Sequence, residues 1–249
     1  MELWGSKKTI HDLNKRKYDS IRMSWTTSDG IGKIEVLEVF GNDLTVVNAA
    51  RVSFAKESTE FTGRDGGLIR YLATHHHESP FFHPQIRLRL KMPIFVAREW
   101  FRHTIGFARN EVSRRYVDSE PELWFPDASG LRARDTNLKQ GSKEEPVDHA
   151  DEIVHEIKSV GKTSLFFYDS LLKRGVAPEI ARSVLPQGMY TEFIETGSLA
   201  AYARLAYARL FGLRTDPGAQ REIQAYARAI GALLEPHFPV SWAALTHKQ

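Results

Sequence analysis

A chain of 249 residues without a cysteine can hold no disulfide and no thiolate metal site, and it excludes any mechanism that needs a cysteine nucleophile. Apolar residues make up 42% and charged residues 26%, an ordinary globular balance, and no run approaches the roughly 18 apolar residues of a membrane span. The net charge of +3 is too mild for a protein that coats nucleic acid, so the placement of the cations matters more than their number.

The first residues, Met1-Glu-Leu-Trp-Gly-Ser-Lys-Lys, lack the apolar core of a signal peptide, which makes a cytoplasmic location the expectation. Residues 33–40 alternate and predict a strand. Gly41-Asn42-Asp43 reads as a turn, with Asp43 placed to cap a helix through about Arg51. Residues 66–77 predict a helix with Leu68, Ile69 and Leu72 on one face. Residues 86–92 alternate apolar with basic, as a half-buried strand with a cationic outer face does. Pro93 suits the first turn of a helix over 94–103. Residues 118–148, rich in Pro, Gly, Asp, Glu and Lys, read as a long loop or insertion. The remainder is expected to be mainly helical, over 149–173, 177–185, 199–213 and 218–234, punctuated by Gly175, Pro178, Gly212 and Pro217. The expected class is α+β in a single domain over 1–249: a small mixed or antiparallel sheet flanked by helices, with a helical C-terminal part.

Residues 98–116 are the densest in chemistry. Arg98, Arg102, Arg109, Arg114 and Arg115 share this stretch with His103, Glu111 and Ser113. Guanidinium forks match phosphate oxygens, and hydroxyls and backbone amides can complete an anion cage. A solvated basic face with surface ion pairs is the alternative. The interleaved Trp100, Phe101, Ile105, Phe107, Val112 and Tyr116 argue for partial burial, and buried arginines need partners, of which a bound anion is one.

Other strings carry less. His75-His76-His77 cannot easily converge on one metal, because adjacent helical side chains diverge by about 100°; no metal site is expected there, and a helix end contacting a ligand or its own backbone fits better. Gly161-Lys162-Thr163-Ser164 resembles the end of a phosphate loop, but Glu156 stands where that loop needs its first glycine. Arg182 and Arg214 each follow an apolar helical turn, where a helix dipole favours cations as readily as a ligand does.

In order along the chain, Gly41-Asn-Asp-Leu with Ala49-Ala-Arg-Val-Ser-Phe54, His77-Glu-Ser-Pro-Phe-Phe-His83, Pro93-Ile-Phe-Val-Ala-Arg-Glu-Trp-Phe-Arg-His103, Ala181-Arg-Ser-Val-Leu-Pro186, Leu213-Arg214 and Ala219-Gln-Arg-Glu-Ile223 resemble the motifs of the flavin-dependent thymidylate synthase (ThyX) family. The resemblance implies methylation of dUMP at C5, with methylenetetrahydrofolate supplying the carbon and FAD, reduced by NADPH, supplying the hydride. It needs no cysteine. It implies a flavin site made of Ser53, His77, Ser79, Arg102, His103, Thr104, Ile105, Glu111 and Arg209. The nucleotide would meet Glu99, Arg102, Glu111, Ser113, Arg114, Arg115, Arg182 and Arg214, with Arg214, Ser113 and His77 in catalytic roles. It further implies a homotetramer with shared active sites, and no nucleic acid or membrane partner.

The chain also departs from the pattern. The family's Arg-His-Arg reads Arg102-His103-Thr104, the following loop is one residue longer, Glu99 replaces a glutamine, and an Asn-Ala-Arg flavin motif is not recognisable. These changes cluster at the flavin edge and the sugar pocket. They make UMP an expected substrate beside or instead of dUMP, as in ThyX-like methylases of nucleoside-antibiotic pathways of the polyoxin type. Two alternatives stay open: a flavoprotein NADPH oxidase or nucleotide-binding homologue without methylation, and a nucleic-acid module using Arg87, Arg89, Lys91 and the arginines of residues 98–115.

Overall fold

The structure, a computed structural model, describes residues 23–117, 119–137, 141–211 and 220–246. Its centre is a five-stranded sheet in the order β1-β2-β3-β7-β4, every neighbouring pair antiparallel. The strands are β1 (Ser24–Thr26), β2 (Lys33–Phe40), β3 (Gln85–Pro93), β4 (Phe107–Glu111) and β7 (Tyr190–Ser198); β5 (Arg132–Arg134) and β6 (Ser142–Pro146) form a separate hairpin. Helices α1 (Asp43–Arg51), α2 (Gly63–Thr74), α3 (Ile94–Trp100), α4 (Ala150–Lys173), α5 (Pro178–Ala181), α6 (Leu199–Phe211), α7 (Arg221–Leu234) and α8 (Pro239–Thr246) complete the described elements.

The core lies where the apolar alternation places it. Ile34 and Val36 of β2, Ile86, Leu88, Leu90 and Met92 of β3, and Phe193 of β7 point to one face. Against them pack α6 through Leu199, Tyr202 and Leu205, and α7 through Ile223, Ile230 and Leu234. The basic outer face of β3 is present as expected, but it is neutralised. Arg87 lies 3.1 Å from Glu38, Arg89 lies 3.9 Å from Glu192, and Lys91 pairs with Glu122. The stripe on which a nucleic-acid reading rests is thus matched by carboxylates.

Several expectations need correction. Asn42, not Asp43, caps α1: its side chain accepts from Leu44 N and Thr45 N. Asp43 instead reaches the start of α8, accepting 2.9 Å bonds from the backbone of Val240 and Ser241. Helix α2 ends at Thr74, so the three histidines lie beyond it; His76 takes a left-handed backbone with φ of 55°. Pro93 closes β3, and the helix after it stops at Trp100 rather than 103. Residues 118–148 hold the β5–β6 hairpin rather than only loop, and 177–185 is a helical turn followed by a 3₁₀ turn over Arg182–Val184. Helix α7 begins at Arg221, and the expected helix over 199–213 is described to Phe211. Gly161 sits inside α4, packed on Phe125, so the phosphate-loop string is helical.

The largest correction is β7, which the helical expectation for the second half of the chain omits. Its alternation is inverted: Glu195 is fully buried while Ile194 is 40% exposed. An apolar count therefore does not reveal it as a strand, although it pairs along its whole length with β3.

Candidate active site

Helix α3 ends at Trp100, and the chain then crosses to the sheet edge as β4, laid antiparallel on β7. Residues 101–106 turn between them, with Gly106 at φ of 82°, a left-handed conformation in which a side chain would also press on Ala201 and Ser198. Three inward side chains of β4 seat it on β7. Phe107 lies opposite Gly197, Arg109 opposite Glu195, and Glu111 accepts a 2.5 Å bond from the Thr191 hydroxyl.

At the α3 end, Arg209 of α6 gathers two predicted residues. Its Nε donates to His103 Nε2 at 3.0 Å, its Nη2 to the Glu99 carbonyl at 2.6 Å, and its Nη1 lies 3.4 Å from the Glu99 carboxylate. Burial raises the Glu99 carboxyl pKa, partly offset by the charges of Arg209 and Arg102. Burial, reinforced by Arg209, Arg109 and Arg204, pushes the His103 imidazole down to about 4. His103 is therefore neutral at physiological pH and accepts from Arg209. Arg204, one turn earlier on α6, donates to the Ile105 carbonyl at 2.8 Å. Arg102, Thr104 and Ile105 are exposed.

Beyond β4, the Ser113 hydroxyl accepts from the Arg115 backbone at 3.3 Å, Arg114 bonds the Ser119 carbonyl, and the Arg115 guanidinium lies 5.1 Å from the Tyr116 ring centroid. Arg115 is exposed and Ser113 half-buried. The remaining expected residues occupy other elements and are exposed: Ser53 in the 3₁₀ turn after α1, His77 beside the Tyr71 ring, Ser79 opening the 3₁₀ turn Ser79–Phe82, and Arg182 opening the turn after α5. Arg214 lies outside the described residues.

A cavity of about 340 Å³ lies beside the turn that follows α2, and none of the expected site residues lines it. Its walls include Leu72 of α2, His76 and Glu78 flanking His77, Ala203 and Arg204 of α6, and Leu245 of α8. Among the described residues, no group of three His, Asp or Glu gathers as a metal site would require. None of the described helices is long and apolar enough to cross a membrane.

Sequence reasoning missed Glu195 and Thr191, gave Arg204 no role, and expected Trp100 to be partly buried without its carboxylate partner. Trp100 Nε1 donates to both Glu195 oxygens, at 3.1 and 3.2 Å, and Arg109 pairs with the same carboxylate. The available signal was cross-strand: an arginine and a glutamate at matching inward positions, visible only once β4 and β7 are paired.

An antiparallel sheet whose edge presents a run of arginines beside a serine and a glutamate is an α+β arrangement suited to holding a phosphorylated ligand. The model of the family described as "Thymidylate synthase complementing protein" matches residues 35–240. The chain is 38% identical over 216 residues to a flavin-dependent thymidylate synthase of Thermus thermophilus, covering 86% of this chain and 75% of that protein. A solved structure of the UMP/dUMP methylase PolB of Streptomyces cacaoi bound with 5-Br dUMP superposes with a TM-score of 0.76 at 31% identity, covering 86% of this chain and 94% of that one. The same methylase bound with 5-Br UMP superposes at 0.74 and 30%, with 86% and 92% covered. The chain belongs to the thymidylate synthase complementing protein family, and it is a methyltransferase of the flavin-dependent thymidylate synthase type.

Proposed function

We propose that this enzyme methylates C5 of a uridine monophosphate, UMP as well as dUMP, in a reaction that uses methylenetetrahydrofolate, NADPH and bound FAD. The observation that carries the reading is the hinge at β4: one short strand places Glu111, Ser113, Arg114 and Arg115 on one side and Arg102, His103 and Glu99 on the other. The likeness to a methylase described for both UMP and dUMP supports the pair of substrates.

The cavity of about 340 Å³ beside His77 has room for part of a flavin. Leucine and alanine side chains line it beside His76, Glu78 and Arg204, and Arg204 also bonds the Ile105 carbonyl. Ser53, His77, Ser79, Arg102, His103, Thr104, Ile105, Glu111 and Arg209, none of which lines that cavity, are the residues that would hold the flavin, and the flavin would supply the hydride. Arg115, Arg114, Ser113 and Arg182 take the nucleotide phosphate and sugar, where charge-assisted bonds fix orientation. Ser113 holds the nucleotide close enough to act in catalysis. Arg214 takes its role from the family resemblance alone: beside the pyrimidine, a permanent cation would favour the N3 anion and push electron density to C5. The C5 hydrogen leaves as a proton, the folate methylene forms the new carbon bond, and the hydride reduces it to methyl, leaving tetrahydrofolate and NADP⁺.

Glu99 is the element of sugar choice. Its carboxylate is only loosely engaged by Arg209 and retains lone pairs for a 2′-hydroxyl. Glu99→Ala is expected to lower kcat/KM for UMP roughly tenfold more than for dUMP, the effect of losing one charge-assisted bond. Equal losses on both nucleotides would remove Glu99 from this role. Purified protein is expected to be yellow, with released FAD accounting for the colour; a colourless protein that FAD does not reconstitute would exclude the flavin reading. The single domain, the homotetramer and a place in nucleoside-antibiotic biosynthesis complete the proposal.

A further inference from the structure

Beneath the arginine segment lies an ion pair to which the reading above gives no role. Arg109 and Glu195 stand directly opposite each other across β4 and β7, and the Arg109 Nε bonds the carboxylate. The Glu195 side chain is fully buried and that of Arg109 is 15% exposed. Trp100, the last residue of α3, donates to the same carboxylate. The guanidinium lies 4.7 Å from the Phe107 ring centroid and 5.4 Å from that of Phe101. One carboxylate therefore ties the end of α3 to the middle of β4.

The strand needs such a tie. It is five residues long and lies at the sheet edge, paired on one side only. A slip by two residues would keep every side chain on its own face yet carry the segment after β4 about 6.6 Å along the strand. A slipped Arg109 would face Gly197 or Phe193, and Glu195 would be left in the core without its cation. Phe107 is fitted to the missing side chain of Gly197, where a Cβ would stand 2.5 Å from its ring, but that fit offers no charge to be stranded.

We propose that the Arg109–Glu195 pair is the register lock of β4: two positioning residues that hold both arms of the nucleotide cradle in place without touching the nucleotide. This rests on the reading of residues 111–115 as that cradle. Burial pushes the Glu195 carboxyl up and the facing guanidinium pulls it back, so removing Arg109 leaves the acid without a cation, held only by neutral donors such as Trp100.

The test compares three variants. Arg109→Met withdraws the cation; Arg109→Met/Glu195→Gln removes both charges while leaving Trp100 an acceptor; Arg115→Ala alters the cradle alone. Arg109→Met is expected to raise the nucleotide KM by about tenfold with a much smaller change in kcat, and to speed hydrogen exchange in the β4 peptide. The paired variant is expected to return both to within about threefold of wild type, because an ion pair replaced as a unit is tolerated where half of one is not. Arg115→Ala is expected to raise KM with β4 exchange unchanged. An unchanged KM in Arg115→Ala would sink the cradle reading. A raised KM there, with Arg109→Met at wild-type KM and exchange, would overturn the lock alone, as would a paired variant no better than Arg109→Met. Should Arg109→Met fail to fold, Glu195→Gln, which withdraws the other charge, carries the same comparison.

Discussion

His103 shows how much a single residue's neighbours determine. The imidazole sits among Arg209, Arg109 and Arg204, and its pKa falls from 6.5 to about 4. As the folded value is the depressed one, the two states bind protons equally above pH 6.5, and there the histidine has no effect on stability. Below 6.5 the unfolded chain takes up a proton that the folded chain refuses, and stability declines until about pH 4. After allowance for solvent screening, the loss is about 1–2 kcal/mol. Chemical denaturation of wild type and His103→Gln from pH 8 to pH 4 is expected to converge at acid pH by roughly that amount. Parallel curves would mean that His103 titrates normally. The histidine was legible in the sequence as part of an arginine-rich string. Its neutrality was not, because two of the three cations responsible come from α6, about a hundred positions further along the chain.

At the scale of elements, apolar alternation identified β2 and β3 closely, and helical spacing identified α4 and most of α7. Both signals fail where a strand's inward face carries a charge. Strand β7 hides because Glu195 points in and Ile194 out, and its burial depends on Arg109 and Trp100 from elsewhere. The same dependence on distant partners misplaced Asp43, which suits a local cap but serves α8, almost two hundred residues on. Asp43→Ala is expected to cost about 1–2 kcal/mol of global stability by leaving two backbone donors at the start of α8 without their acceptor. Since Ala244 and Leu245 of α8 line the cavity, flavin affinity is expected to fall as well. Thermal melts with and without added FAD check both; a variant as stable as wild type would show that water replaces the carboxylate at no cost. The proposed nucleotide residues follow one another at the end of β4, so one stretch of sequence suggests them together. The proposed flavin residues are scattered from the 3₁₀ turn after α1 to α6, so the sequence suggests them only in fragments.

For the whole molecule, the long helix α4 leaves apolar surface uncovered. Val160, Phe166 and Phe167 are 69%, 75% and 46% exposed on a helix of 24 residues. Exposed large apolar side chains of this kind suit an interface, and the proposed homotetramer supplies one. Light scattering is expected to give a tetramer, and Phe166→Glu a smaller species with lowered turnover, since active sites shared between subunits do not survive dissociation. A monomeric wild type with full activity would remove the shared site from the account.

The most direct measurement is turnover. Purified enzyme with FAD, NADPH and methylenetetrahydrofolate is given UMP or dUMP, and the nucleotide is recovered for mass spectrometry. The expected result is a product heavier by one methylene from each nucleotide, labelled at the C5 methyl when the folate methylene carries the isotope, and abolished by Arg214→Ala while FAD stays bound. NADPH oxidation with both nucleotides recovered unmethylated would contradict the central claim and leave a flavoprotein oxidase in its place.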